Sequence, residues 1–125
     1  MHNLLLAGLG GFIGSVFRFL LTALTYRWLN YPIFPYGTLL VNVTGCFIIG
    51  LLNGIAENQN VFSPELRVFM FVGVLGGFTT YSSFGYETFA LFRDDQLGVA
   101  GLNILLQLSL GFLAVWLGFQ LSRVF

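Results

Sequence analysis

Gly73-Val-Leu-Gly-Gly-Phe-Thr-Thr-Tyr-Ser-Ser-Phe84 is the stretch on which the fold turns. It lies inside an apolar run long enough to cross a bilayer, yet its twelve positions hold three glycines and four Thr/Ser residues. Such residues suit a plain lipid-facing helix poorly. Non-helical backbone at membrane depth is tolerated where protein buries it or where it lines a wet cavity. One reading is therefore a segment that breaks here and frees backbone groups for an ion or a partner chain. The other is a continuous Gly/Ser-rich helix that packs closely on its neighbours.

Composition sets the solvent. Of 125 residues, 57% are hydrophobic and 8% are charged, against about 25% charged in a soluble domain. Lipid must cover most of the surface, and the length allows one domain. All basic residues are arginine and the formal net charge is zero, so there is no nucleic-acid footprint. The lone Cys46 reads as a small buried hydrophobe. The first apolar run lacks a basic flank and is expected to be a membrane span, not a removed signal peptide.

Around the central stretch the spacing predicts four transmembrane helices, over about 4–24, 37–55, 66–92 and 99–121, each near or above the ~20 residues a span requires. In the first, Gly10/Gly14 and Gly11/Ser15 have the small-xxx-small spacing that lets helices approach. Arg18 lies in the same span, where an arginine costs about 2.5–3.5 kcal/mol near the centre. It either snorkels or pairs structurally, or it anchors a wet vestibule that attracts anions. Tyr26 to Tyr36 read as the first loop, with Trp28, Tyr31 and Tyr36 as an aromatic belt and Pro32 and Pro35 stopping the helix.

In the second span Thr38 and Asn42 are four apart and share a face. Asn42 makes either an interhelical hydrogen bond or an amide contact to an anion. Gly50 and Gly54 form another close-packing pair, and Glu57 to Asn60 read as a polar turn. Ser63-Pro64-Glu65 fits the N-cap, first position and first turn of the third span. Phe78, Tyr81 and Phe84 flank its hydroxyl cluster; ring edges can face an anion. Glu87 follows, at a vestibule or the interface. In the fourth span Asn103, Gln107 and Gly111 fall at i, i+4 and i+8, so two amides on one face need partners in lipid. They bond neighbouring helices or line a hydrophilic track.

The arginines give no orientation. Four spans place Arg67 and Arg123 on the side of the termini and Arg27 and Arg93 on the other, two against two. Even with Arg18 the bias in short loops that orients membrane proteins is weak. Such a chain should insert both ways, and two antiparallel copies could pair about an axis in the membrane plane. Four helices leave little room for a wet path beside a packed core, which makes a homodimer the natural unit.

At this point three stretches together resemble the Fluc (CrcB) family of fluoride channels over essentially the whole chain: Gly10-Gly-Phe-Ile-Gly-Ser-Val-Phe-Arg18, Gly37-Thr-Leu-Leu-Val-Asn-Val-Thr-Gly45, and Gly73 through Glu87. The resemblance implies an all-α membrane protein whose third helix breaks mid-membrane, assembled as an antiparallel, dual-topology homodimer in the inner (plasma) membrane. It implies a passive, fluoride-selective channel with two pores, each lined by both subunits. It implies a structural sodium ion at the dimer centre, held by the backbone carbonyls of Gly76 and Thr79. The pore phenylalanines fall on Tyr81 and Phe84. The pore asparagine falls on Asn42, with Thr38 one turn before it. The fourth-helix track falls on Asn103, Gln107 and Gly111, and the vestibule pair on Arg18 and Glu87. Two positions depart: Tyr81 stands where phenylalanine is usual, and Gly111 where serine is frequent.

The chemistry is consistent with fluoride as the partner. The ion is small and strongly hydrated, so a pore must replace water with donors. The amides of Asn42, Asn103 and Gln107 and the hydroxyls of Thr38, Tyr81 and Ser83 are available. A small drug exporter of dual topology is the rival, but its proton coupling needs a carboxylate in the membrane, and spans one, two and four hold none. A non-conducting scaffold would need only the glycine faces. An enzyme is least supported, with His2 the single histidine and no Ser/His or metal-ligand pairing in the spans.

Overall fold

The structure, a computed structural model, describes residues 1–59 and 61–125. The described residues are helices and their connections. Four helical spans are long and apolar enough to cross a membrane: His2–Leu29, Tyr36–Glu57, Pro64–Arg93 and Leu97–Ser122. We label the helices α1 (His2–Leu29), α2 (Tyr36–Gln59), α3 (Pro64–Arg67), α4 (Gly76–Phe78), α5 (Tyr81–Arg93) and α6 (Leu97–Ser122). A π-helical stretch, Val68–Leu75, joins α3 to α4.

The helices run further than the hydropathy reading. Tyr26 to Leu29 continue α1, so Trp28 is helical and not in a loop. The stop comes at Asn30, whose φ of 52° is left-handed, a conformation asparagine tolerates at a helix end. Tyr31 also has positive φ, at 53°, and stacks on Tyr26 with ring centroids 6.1 Å apart. Pro35 precedes α2 directly, and Tyr36 opens the helix. At the other end, Glu57 to Gln59 are helical and not a turn; nothing in their side-chain types stops a helix. Asn60, the last residue of that expected turn, lies outside the described residues. Ser63 caps α3 as expected, its hydroxyl accepting from Leu66 N–H at 3.2 Å, with Pro64 and Glu65 in the first turn.

Within Pro64–Arg93 the backbone leaves the helix at two residues. Thr79 has φ −80°, ψ 159°, and Thr80 has φ −150°, ψ 112°. Both are extended. Thr80 then caps α5, its hydroxyl accepting from Ser83 N–H at 3.2 Å.

Glycines set the packing. α1 lies along the π-helical stretch and α2 along α6. A Cβ on Gly10 would come 2.8 Å from Gly73 Cα, and one on Gly14 would overlap the Val74 carbonyl oxygen. Across the other seam, a Cβ on Gly50 would overlap the Val115 carbonyl, one on Gly118 the Phe47 carbonyl, and one on Gly54 the Ser122 hydroxyl. The Gly10/Gly14 and Gly50/Gly54 pairs are therefore consumed inside the protomer. Gly8, Gly11, Gly85, Gly98 and Gly101 instead face open space. The buried core is thin, with Val41 its largest fully buried apolar side chain, and many large apolar side chains, such as Phe12, Phe19 and Phe112, are exposed. That inverted surface is what a lipid solvent requires.

Candidate functional site: a cleft beside an interrupted helix

The interruption is held from outside. In an unbroken helix Thr80 N–H would bond the Gly76 carbonyl. It donates instead to Asn42 Oδ1 at 2.8 Å, while Asn42 Nδ2 donates to the Thr80 carbonyl at 3.0 Å. The side-chain amide thus pairs with both faces of one residue's backbone, as a neighbouring strand would. This pairing also fixes the amide's orientation, since a backbone N–H must meet its oxygen. The second hydrogen of Asn42 Nδ2 goes to Gln107 Oε1 at 3.1 Å. Of the two roles open to Asn42, the structure shows interhelical bonding, with both N–H groups occupied.

The Thr79 carbonyl is freed by a related diversion. Its helical donor would be Ser83 N–H, which is taken by the Thr80 hydroxyl. Arg18 reaches over from α1 and donates Nη1–H to Thr79 O at 3.3 Å. Thr79 itself stays tied back, its N–H and hydroxyl both donating to the Leu75 carbonyl at 3.0 Å. Arg18 is half-buried, and no acid lies within ion-pair distance; among the described residues the ion pair is Arg93–Asp94.

Beside the interruption opens a cleft of about 360 Å³, lined by Asn42, Cys46, Gly76, Thr79, Thr80, Tyr81, Phe84 and Gln107 among others. Tyr81 and Phe84 meet edge to face, centroids 5.7 Å apart and planes at 64°. Tyr81 is 83% exposed in the protomer. The cleft therefore gathers Asn42, Gln107, Tyr81 and Phe84 of the expected pathway, together with Gly76 and Thr79.

The other expected residues lie outside it. Thr38, 3% exposed, donates its hydroxyl to Glu87 Oε1 at 2.7 Å. Glu87 borders a second cleft of about 290 Å³ with Tyr26, Pro35, Asp94 and Gln96. Asn103 is fully buried and donates to the Thr88 hydroxyl at 2.9 Å. Gly111 is buried, facing Cys46 Sγ 3.6 Å from where a Cβ would sit. Ser83 takes a hydrogen bond from the Thr80 hydroxyl at 3.0 Å. Three buried polar atoms along this series have no protein partner among the described residues: Glu87 Oε2, Asn103 Oδ1 and Gln107 Nε2. Each such atom is costly unless something completes it.

Two residues that matter here escaped the sequence reading. Thr80 was one of four hydroxyls in its cluster, with nothing to mark it as the residue Asn42 would grip. Thr88 stood next to Glu87 without periodic signal, and its role depends on Asn103 facing it from α6.

Comparison with known proteins agrees in extent with this architecture. The family described as "CrcB-like protein, Camphor Resistance (CrcB)" matches residues 5–119. The chain is 42% identical over 124 residues to the fluoride-specific ion channel FluC of Methylobacillus flagellatus, covering 99% of this chain and 97% of that one. It is 45% identical over 123 residues to the protein of the same name from Agrobacterium fabrum, covering 98% of each. With that of Shewanella sp. strain ANA-3 the identity is 44% over 126 residues, covering 99% of this chain and all of the other. Four spanning helices and a match along the whole length lead to one conclusion: the chain is a multi-pass membrane protein that belongs to the CrcB family.

Proposed function

We propose that the protein is a passive, fluoride-selective anion channel and not an enzyme, working in the inner (plasma) membrane as an antiparallel, dual-topology homodimer with two pores. The observation that carries this reading is the near-full-length similarity to proteins named fluoride-specific ion channels. The geometry supports it. The cleft beside the interruption is lined by Gln107, whose buried Nε2 has no partner among the described residues, and by the Tyr81–Phe84 ring pair. On this reading the interruption lies at membrane depth, and Tyr81, Phe84, Gln107 and Asn42 line the fluoride path. Ser83, Thr38, Asn103 and Gly111 continue it, and Arg18 and Glu87 stand at its vestibules.

The protomer alone leaves this path half-built. Tyr81 and Gly76 are exposed, and the glycines that face open space are available to a second copy. The balanced arginines allow that copy to insert inverted.

A sodium ion at the dimer centre fits the residues present. Gly76 is exposed and the diversion of Thr80 N–H to Asn42 frees its carbonyl of that helical donor, while Thr79 O has a second lone pair beyond its bond to Arg18. Unwound backbone carbonyls are a suitable donor set for sodium inside a membrane. When bound, the ion would supply a fixed positive charge at the interface. Among the described residues no cluster of three His, Cys, Asp or Glu competes as a metal site.

In operation, donors along the path replace part of fluoride's hydration shell. A negative-inside potential drives the anion outward by about 2.3 kcal/mol per 100 mV for each charge. No nucleotide or coupled ion is required. The drug-exporter alternative is not favoured: the relatives carry a channel's name, and Glu87, the carboxylate deepest in a span, is engaged by Thr38.

The test is fluoride efflux from liposomes holding the purified protein, with potassium ionophore to balance charge and chloride as control. Rapid, ionophore-dependent fluoride efflux with little chloride efflux is expected. Absence of both from a folded dimer would remove this reading.

A further inference from the structure

Gly10, Gly14 and Arg18 lie at i, i+4 and i+8, on one face of α1. The first two seat α1 directly on the backbone of the π-helical stretch and α4, Gly10 against Gly73 and Gly14 against Val74 and Phe78 N. One turn further along that face, Arg18 arrives at Thr79. The contact is a consequence of the seating: side chains at either glycine would hold the helices apart and withdraw the guanidinium.

The contact falls where the backbone has a deficit. The run from Pro64 through Phe78 is continuously helical, so its end gathers the partial negative charge of a helix C-terminus. The Thr79 carbonyl lies at that end with its helical donor diverted. Asn42 satisfies both backbone groups of Thr80 from α2, and Arg18 satisfies Thr79 from α1. Extended backbone at such a site would otherwise hold orphaned groups, each costly. The arginine gains as well. A guanidinium in a span without an acid partner is expensive, and a helix C-terminus is the neutral group best able to compensate it.

We propose that Arg18 is a positioning residue: from α1 it holds the Thr79 carbonyl in place and, opposite Asn42, keeps the third span open at Thr79–Thr80. It acts on the path through Thr79 and not by contact with the permeating ion. The flux arm of the test rests on the fluoride-channel reading; the exchange arm does not.

The experiment compares the full chain with Arg18→Ala and Arg18→Lys by amide hydrogen exchange in lipid, alongside liposome flux. Removing a charge-assisted hydrogen bond should speed exchange about ten- to a hundredfold. In Arg18→Ala this rise is expected over residues 79–84 only, with the α2–α6 seam around Gly50 and Gly118 unchanged and fluoride flux down at least about tenfold. Arg18→Lys, which keeps charge and donor, should recover part of both. If Arg18→Ala does not fold, Arg18→Gln carries the same comparison. Flux lost with protection at 79–84 unchanged would overturn the proposal and make Arg18 a direct attractor of anions. Exchange raised evenly along the chain would overturn it in favour of general packing. A wild-type protein that conducts no fluoride would sink the channel reading, while the exchange comparison would still decide the role of Arg18.

Discussion

Asn42→Ala removes three hydrogen bonds at once: from Thr80 N–H at 2.8 Å, to Thr80 O at 3.0 Å and to Gln107 Oε1 at 3.1 Å. Thr80 is only 8% exposed, so water does not readily replace the lost partner. A buried backbone group left unsatisfied costs about 1–3 kcal/mol, and two of them give about 2–6 kcal/mol. Interhelical bonds inside a membrane average about 0.6 kcal/mol, so three give about 2 kcal/mol. The two routes meet near 2 kcal/mol as the smaller expected loss. The chain has one local way to recover. Thr80 N–H can return to the Gly76 carbonyl and close the helical turn, which would also remove the free carbonyl. Asn42→Ala should therefore melt at lower temperature and lose fluoride flux together, with the Thr80 amide either exposed or re-protected in a closed helix.

Asn42→Asp separates the parts. Its carboxylate still accepts from Thr80 N–H, and Gln107 can turn Nε2 toward it, but the bond to Thr80 O becomes a contact between two acceptors. The added negative charge faces the cleft. This variant should keep the Thr80 amide more protected than Asn42→Ala does and still lose anion flux. The measurements are thermal melting of the purified dimer and liposome efflux, with exchange at Thr80 as the local reporter. Wild-type flux and wild-type Thr80 protection in Asn42→Ala would refute the reasoning outright.

Three further outcomes are expected. Phe84→Ile should block fluoride efflux while melting stays near wild type, because it removes one ring of the Tyr81 pair but retains bulk; unchanged efflux would take Phe84 out of the path. Gly54→Ala should destabilise by about 1–3 kcal/mol through overpacking, since its Cβ would overlap the Ser122 hydroxyl and lie 2.6 Å from Ser122 Cβ; adding Ser122→Gly should recover part of the melting temperature, and failure to recover would show that the seam is not set by this contact. Gly111→Ser should fold and melt close to wild type, because the nearest atom to a Cβ there is Cys46 Sγ at 3.6 Å; a large loss of melting temperature would show that the α2–α6 seam has no room for the side chain.

The four spans were legible because lipid leaves a long, one-dimensional signal: about twenty apolar residues in a row. Their ends were less so. Arg27 reads as loop and Glu57 as the start of a polar turn, yet both are helical, and the stop at Asn30 is a backbone conformation that hydropathy does not encode. The candidate polar residues were visible as residue types in apolar runs. Their partners were not, because partners depend on which helices touch. Periodicity aligned Asn103, Gln107 and Gly111 on one face. The structure gives that face three different fates: a buried bond to Thr88, a bond to Asn42, and a seam against Cys46.

The same dependence on contact explains why composition left two readings of Gly73 to Phe84 open. The local chain can make either a continuous helix or an extended pair, and nothing in the stretch itself decides between them. Three side chains supply the bias, and only one of them lies in the stretch. Thr80 diverts Ser83 N–H, Asn42 takes Thr80 N–H and O, and Arg18 takes Thr79 O. Each engages a group that the closed helix would have satisfied internally. Opening the helix gives up the bonds of the closed turn, and α1 and α2 return three of their own, one to Thr79 and two to Thr80. The glycines of α1 belong to this balance, since without close approach Arg18 does not reach. The glycines of the third span serve the same approach from the other side, Gly73 against Gly10 and Gly77 against Gly11. An extended segment at this position is thus a property of three spans packed together, and a variant in any of them should be read first for its effect on Thr79 and Thr80.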